Sequence, residues 1–141
     1  MADPDIAFAA LDRDSGERFQ ALRRELGVST FGMNLIVLQP RQRGRIHAHG
    51  HQEEVYLVLD GELTLLLEGV EHVLRRDQLV RVGPAVRRQL GNAAGVPLVL
   101  LALGGSSEHV GRDGNAWTSW EDEGPGRPPQ EVPLPDDLPA A

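Results

Sequence analysis

The sequence predicts an all-β fold, a two-sheet sandwich or small barrel, and three observations carry the prediction. From Phe31 onward, apolar residues recur with a period of two. The runs are short, spaced about 8–12 residues apart, and no helical pattern separates them. Gly (16) and Pro (10) together exceed the usual share, which favours many short elements joined by turns over long helices.

Before Phe31 the chain reads differently. The first 14 residues carry no periodic pattern. "DSGERFQALRRELG" then predicts a short helix over 14–27. Asp14 with Glu17 matches a capping box, Phe19, Leu22 and Leu26 fall at i, i+3 and i+7, and Gly27 stands where helices commonly stop. "FGMNLIVLQP" is a strand ended by Pro40, and "RQRGRIHAHGH" is polar and arginine-rich. "EEVYLVLDGELTLLLEGVEHVL" holds two or three strands, with Asp60-Gly61 the stronger hairpin signal and Glu68-Gly69 the weaker. "DQLVRVGPAV", "RRQLGN" and "PLVLLALGG" supply further short strands.

Leu63–Leu67 and Leu98–Leu103 are apolar on both faces, which implies central burial or a sheet surface covered by another subunit; a homodimer is the expectation. Past Gly104 the pattern dissolves, and six of the ten prolines lie between 125 and 141. Loose tails are poor in aromatics, so Trp117 and Trp120 predict that residues 108–120 dock on the barrel or on a partner, with the last dozen or so looser.

Composition narrows the function classes. A chain of 141 residues fits one domain. The longest apolar stretch, Val96–Leu103, is far short of the roughly 20 residues of a membrane-spanning helix. The opening "MADPDIAFAALDRD" lacks the basic and apolar regions of a signal peptide and fits a cytoplasmic protein. With no cysteine, thiolate ligands and nucleophiles are excluded. All 14 basic residues are arginine, which excludes Schiff-base lysine chemistry and P-loop phosphate binding. The net charge of −7 argues against nucleic acid as a partner.

The chemistry concentrates in "RIHAHGHQEEVYLVLDGE", residues 45–62. In a strand, His47, His49 and His51 share one face. Two imidazoles and a carboxylate suit a divalent first-row metal. Glu54 has the opposite parity and joins the histidines only if a turn or bulge falls in "GHQE". The same residues also fit a solvated loop. Tyr56 should share the face of Glu54 and could donate its hydroxyl to a ligand, or simply pack in the core. His72 reads as a strand position, His109 could cover a pocket, and Arg41, Arg43 and Arg45 read most simply as a solvated basic loop.

"HAHGHQEEVYLVLDG" resembles the first cupin motif, His-x-His-x(3,4)-Glu-x(6)-Gly. His47 and His49 form the pair, four residues separate His49 from Glu54, and six separate Glu54 from Gly61. The motif's leading glycine falls at Arg41. "RDQLVRVGPAVRRQLGN", residues 76–92, sits where the second motif belongs. Asn92 matches its final asparagine, Gly83 and Ala85 replace Pro and Gly, and Arg88 replaces the histidine that is the fourth metal ligand.

The resemblance implies a single cupin-type double-stranded β-helix (jelly-roll) barrel over 31–104. A 1–30 extension with a short helix and an irregular, Trp- and Pro-rich 105–141 extension flank it. It also implies a Zn, Mn, Ni or Fe ion on His47, His49 and Glu54. A guanidinium has no lone pair for a metal, so Arg88 leaves three arrangements open. It points away from a three-ligand site; it points inward beside a metal and binds an anionic substrate; or it pairs with Glu54 in a metal-free pocket. In a fourth case His51 makes up the lost ligand. The expected partner is a small molecule, bound by Arg88, Tyr56 and His51 and transformed by a metal-dependent cupin enzyme, or held by a non-catalytic binding or sensing module. Association through a sheet face and the tryptophan tail is a third role.

Overall fold

The computed structural model describes residues 5–105 and 113–139. Ten short strands dominate it: β1 (Phe19–Ala21), β2 (Gly32–Leu38), β3 (Ile46–His49), β4 (Glu53–Asp60), β5 (Glu62–Leu67), β6 (Val70–Arg75), β7 (Leu79–Val82), β8 (Arg88–Gly91), β9 (Leu98–Gly105) and β10 (Gly114–Trp117). They form two five-stranded sheets, ordered β1-β2-β9-β4-β7 and β10-β3-β8-β5-β6, with every pairing antiparallel. No helix among the described residues is long and apolar enough to cross a membrane.

The core lies between the sheets. Val58, Leu63, Leu65, Leu98 and Leu100 are fully buried there, each contributing about 1.5–3 kcal/mol relative to an exposed position. Alternation places Ile36 and Leu38 inward on β2, while Leu35 and Val37 face outward under Leu22. The central strand β9 is apolar on both faces because Leu98, Leu100 and Ala102 face the core between the sheets while Val99 and Leu101 pack on the outer face with Leu22.

Three local expectations are corrected. The helix occupies only Leu22–Leu26 (α1), and no capping box forms at Asp14. Phe19, Gln20 and Ala21 pair instead with Ile36, Leu35 and Asn34 at the edge of β2, so the ladder claims backbone that helical periodicity assigned to α1. Gly27 (φ 71°) does end the helix.

The second correction concerns the turns. Glu68 (φ 48°) and Gly69 (φ 81°) make the two-residue hairpin, joining β5 to β6 with Leu67 opposite Val70. Asp60-Gly61 is not a hairpin, because β4 and β5 lie in different sheets. Gly61 (φ 78°) turns the corner between them, packed so closely on Pro97 that a Cβ would sit 2.4 Å from its carbonyl oxygen.

The third concerns the tail, whose last dozen described residues are fastened. Ala116 and Arg127 exchange backbone hydrogen bonds, and a 3₁₀ turn at Pro129–Glu131 follows. Arg45 Nε donates to the Val132 carbonyl (2.7 Å), Arg43 Nη2 donates to that of Asp136 (2.8 Å), and Leu138 N–H donates to that of Arg41 (2.8 Å). The basic loop before β3 is therefore a fastening for the tail. Arg87 lies 5.6 Å from the ring centres of both Trp117 and Trp120, which anchors the segment's start.

Candidate metal centre and cavity

The chain leaves the second sheet at His49, turns through Gly50–Gln52 and enters the first sheet at Glu53. That crossing removes the parity problem, because Glu54 meets the histidines from the facing sheet. Nε2 of His49 lies 3.1 Å and Nε2 of His47 3.6 Å from Glu54 Oε1. Ligand atoms of the three residues all fall within 4.8 Å of one another. The two imidazoles meet edge to face, with centroids 5.3 Å apart.

Both rings are oriented from behind. His49 Nδ1 is 2.8 Å from Asp113 Oδ1, and His47 Nδ1 is 3.2 Å from the Arg45 carbonyl. With an acceptor on each Nδ1, the neutral tautomer carries its proton there and turns the Nε2 lone pair toward Glu54. Two imidazole lone pairs and a carboxylate then converge, and neither neutral imidazole offers the carboxylate a proton. Nε2 of His49 is buried and lacks an aligned hydrogen-bond partner despite its short distance. A proton or a metal ion relieves that conflict, and a donor set of two imidazoles and one carboxylate fits a divalent first-row metal.

The titration behaviour follows. Burial disfavours the His49 cation, but hydrogen bonding and charge from Glu54, with help from Asp113, outweigh it and raise the pKa; Arg88 works the other way. For Glu54, burial favours the neutral acid, yet His47 and His49 hold the carboxyl well below the usual range. Burial, then the charge of Glu54, raises Tyr56 well above its ordinary value, so its hydroxyl remains a donor, 2.5 Å from Glu54 Oε1.

Arg88 points inward. It is the direct cross-strand partner of His47, so both side chains leave the sheet on one face. The residue is fully buried, with Nη1 donating to Glu54 Oε1 (3.1 Å) and Nη2 to the Gly83 carbonyl (2.5 Å); Nε has no partner among the described residues. Of the arrangements the sequence left open, the structure contains the Arg88–Glu54 pair.

Behind this cluster lies a cavity of about 200 Å³. His47, His49, Glu54 and Tyr56 form one part of its wall, Ile36, Leu38, Leu90 and Ala102 another, and Pro129 and Leu134 of the tail a third. The space exists because Ala102 is small and sits in one cross-strand row between Asn34 and Tyr56. Arg88 is not among the lining residues, and exposed His51 borders a separate surface depression with Phe31 and Val55. His72 is exposed on β6, and His109 lies outside the described residues.

Sequence reasoning missed Asp113. Its buried carboxylate takes the backbone N–H groups of His51 (2.9 Å) and Gln52 (3.1 Å), the Gln52 side-chain amide (2.5 Å) and the His49 ring. Burial opposes ionisation, but these hydrogen bonds, Gln52 first, bring its pKa down to about 2. No sequence signal marks it: "GRDGN" reads as an ordinary turn, far along the chain from the histidines.

Two facing antiparallel sheets, with two imidazoles and a carboxylate converging between them, define the class: a double-stranded β-helix barrel with a candidate metal centre. A family model described as the cupin domain matches residues 34–104, half of the chain, and the chain belongs to the cupin family. Among solved structures it resembles a cupin protein from Bacteroides fragilis (17% identity, TM-score 0.67, 77% of this chain and 90% of that one). A sugar phosphate isomerase from a cupin superfamily in Silicibacter pomeroyi is also similar (22%, TM-score 0.63, 81% and 76%). So is a candidate sugar phosphate isomerase from Acidithiobacillus ferrooxidans (24%, TM-score 0.59), where the match covers 65% of this chain and 58% of the other. At these identities the likeness concerns the fold. No curated protein matches the chain.

Proposed function

We propose that this cupin holds a divalent metal on His47, His49 and Glu54 and binds a small molecule beside it, as a metal-dependent enzyme. The observation that carries the reading is the paired orientation of the imidazoles: each Nδ1 faces an acceptor, so both Nε2 lone pairs converge on Glu54. Zn, Mn, Ni or Fe would suit the donors, and such an ion would polarise a ligand oxygen as a Lewis acid. The chain's own contributions are separable. Asp113 and the Arg45 carbonyl set the tautomers, Tyr56 and Arg88 donate to Glu54 Oε1, and the apolar wall excludes water.

Elemental analysis of untagged protein tests this. The wild-type chain should carry about one equivalent of metal, and His47→Ala and Glu54→Ala should each lose it. Background metal in wild type, unchanged in both variants, would sink the proposal. The second reading is a metal-free binding or sensing module in which Arg88 supplies the positive charge. It is favoured by the 3.1 Å Arg88–Glu54 pair, and the same measurement decides between the two.

A homodimer belongs to the same proposal. On the outer face of the first sheet α1 covers Leu35, and beside it Met33, Leu103, Val55, Leu101 and Leu57 form a half-buried apolar surface. Leu101→Arg should halve the mass seen by light scattering, whereas a monomeric wild type would end this part of the proposal.

A further inference from the structure

Resting on the reading of the cavity as a ligand site, we propose that its ligand is a small monocarboxylate with an apolar body, its carboxylate held by Arg45 and Arg18. Position comes first. Arg45 immediately precedes β3 and lines the same cavity as His47 and His49, at most about 7 Å along the backbone from the first and about 13 Å from the second. A molecule only a few bonds long spans from the histidine cluster to the guanidinium.

Charge comes second. The chain carries a net charge of −7, yet two arginines line this cavity and neither forms an ion pair among the described residues. Each is fixed by one bond to a backbone carbonyl, Arg18 Nη1 to Arg43 (2.9 Å) and Arg45 Nε to Val132 (2.7 Å). A guanidinium has five N–H donors in a planar fork, so both keep donors suited to a carboxylate. Among the described residues Glu54 is the only acid in the lining, and Arg88 already offsets it. The uncompensated charge around the cavity is therefore positive.

The wall decides the ligand's body. Between the cluster and the arginines stand Ile36, Leu38, Leu90 and Ala102, with Phe19 and Leu134 at the more exposed rim. Asn34 and Tyr56 offer polar atoms on the wall, but sugar hydroxyls turned toward the aliphatic side chains would lose their water without gaining partners. A hydrocarbon chain or ring loses nothing there. The volume, about 200 Å³, is a little larger than the roughly 150 Å³ of an engineered cavity that holds benzene. That admits a six-carbon chain or one ring with a short acid arm.

Calorimetric titration of the full chain, with metal content measured on the same preparation, tests the assignment. The probes are hexanoate and phenylacetate, their neutral amides, and ribose 5-phosphate. Both carboxylates should bind at least tenfold more tightly than the amides and than ribose 5-phosphate. Arg45→Gln should weaken the carboxylates about tenfold and leave the amides unchanged. Amides binding as tightly as acids, ribose 5-phosphate binding best, or no binding by either carboxylate would overturn the assignment. The acid-versus-amide comparison uses the unaltered protein, so it stands even if the variant misfolds. Carboxylate preference in a metal-free preparation would sink the metal reading and keep this one; metal without carboxylate preference would do the reverse.

Discussion

The two halves of the candidate centre face the same carboxylate and are built in opposite ways. On one side, the turn from β3 to β4 brings His47, His49 and Glu54 together and is tied down by a distant acid, Asp113, through four hydrogen-bonded groups. On the other, β8 keeps its place in the barrel and its pairing with His47 but presents a guanidinium where cupins carry a ligating histidine. Backbone position and side-chain chemistry are therefore separable in this barrel. The ladder decides which residue reaches the centre, and the residue decides whether a lone pair or a positive charge arrives there.

The largest expected effect comes from breaking the second half. Arg88→Ala leaves Glu54 and the Gly83 carbonyl without their buried donor and should destabilise the fold by about 3–5 kcal/mol, measured by urea denaturation. Next comes the first half. Asp113→Asn keeps the shape but weakens the hold on His49, so metal affinity in a chelator competition should fall ~10–100-fold with little change in fold. The comparison is sharpened by Arg88→His, which restores a nitrogen ligand opposite His47. Metal affinity should rise about tenfold by the same competition, whereas no gain would mean that the place on β8 is too far from the other three donors. Smallest is Arg87→Ala, beside Arg88 but facing the tail. Losing its contacts with Trp117 and Trp120 should cost about 1 kcal/mol and leave metal binding unchanged.

The same contrast explains what was legible in the sequence. Strands were legible because half-buried β-structure writes itself as alternation, and the metal-type cluster was legible because its three residues lie within eight positions of one another. The turns were harder. Asp60-Gly61 has the stronger hairpin composition, but composition reports only that φ > 0 is tolerated, and Gly61 uses that freedom to change sheets. Phe19 continues a helical pattern, yet the free edge of β2 claims it. Asp113 and the tail were illegible for a different reason. Their partners, His49 and Arg45, are more than 60 residues away, and a proline-rich stretch looks the same whether or not arginines wait for its carbonyls.

That last fastening has a consequence for how such barrels are inherited. The family signature spans 34–104, but Arg18, Phe19, Pro129 and Leu134 around the cavity, and Asp113 behind His49, all lie outside it. A lineage that kept the barrel and exchanged its flanks would keep the signature and line this cavity differently. Relatives that match this chain over the barrel alone therefore share its frame, and whether they share its cavity has to be read from the strands and tails outside the signature.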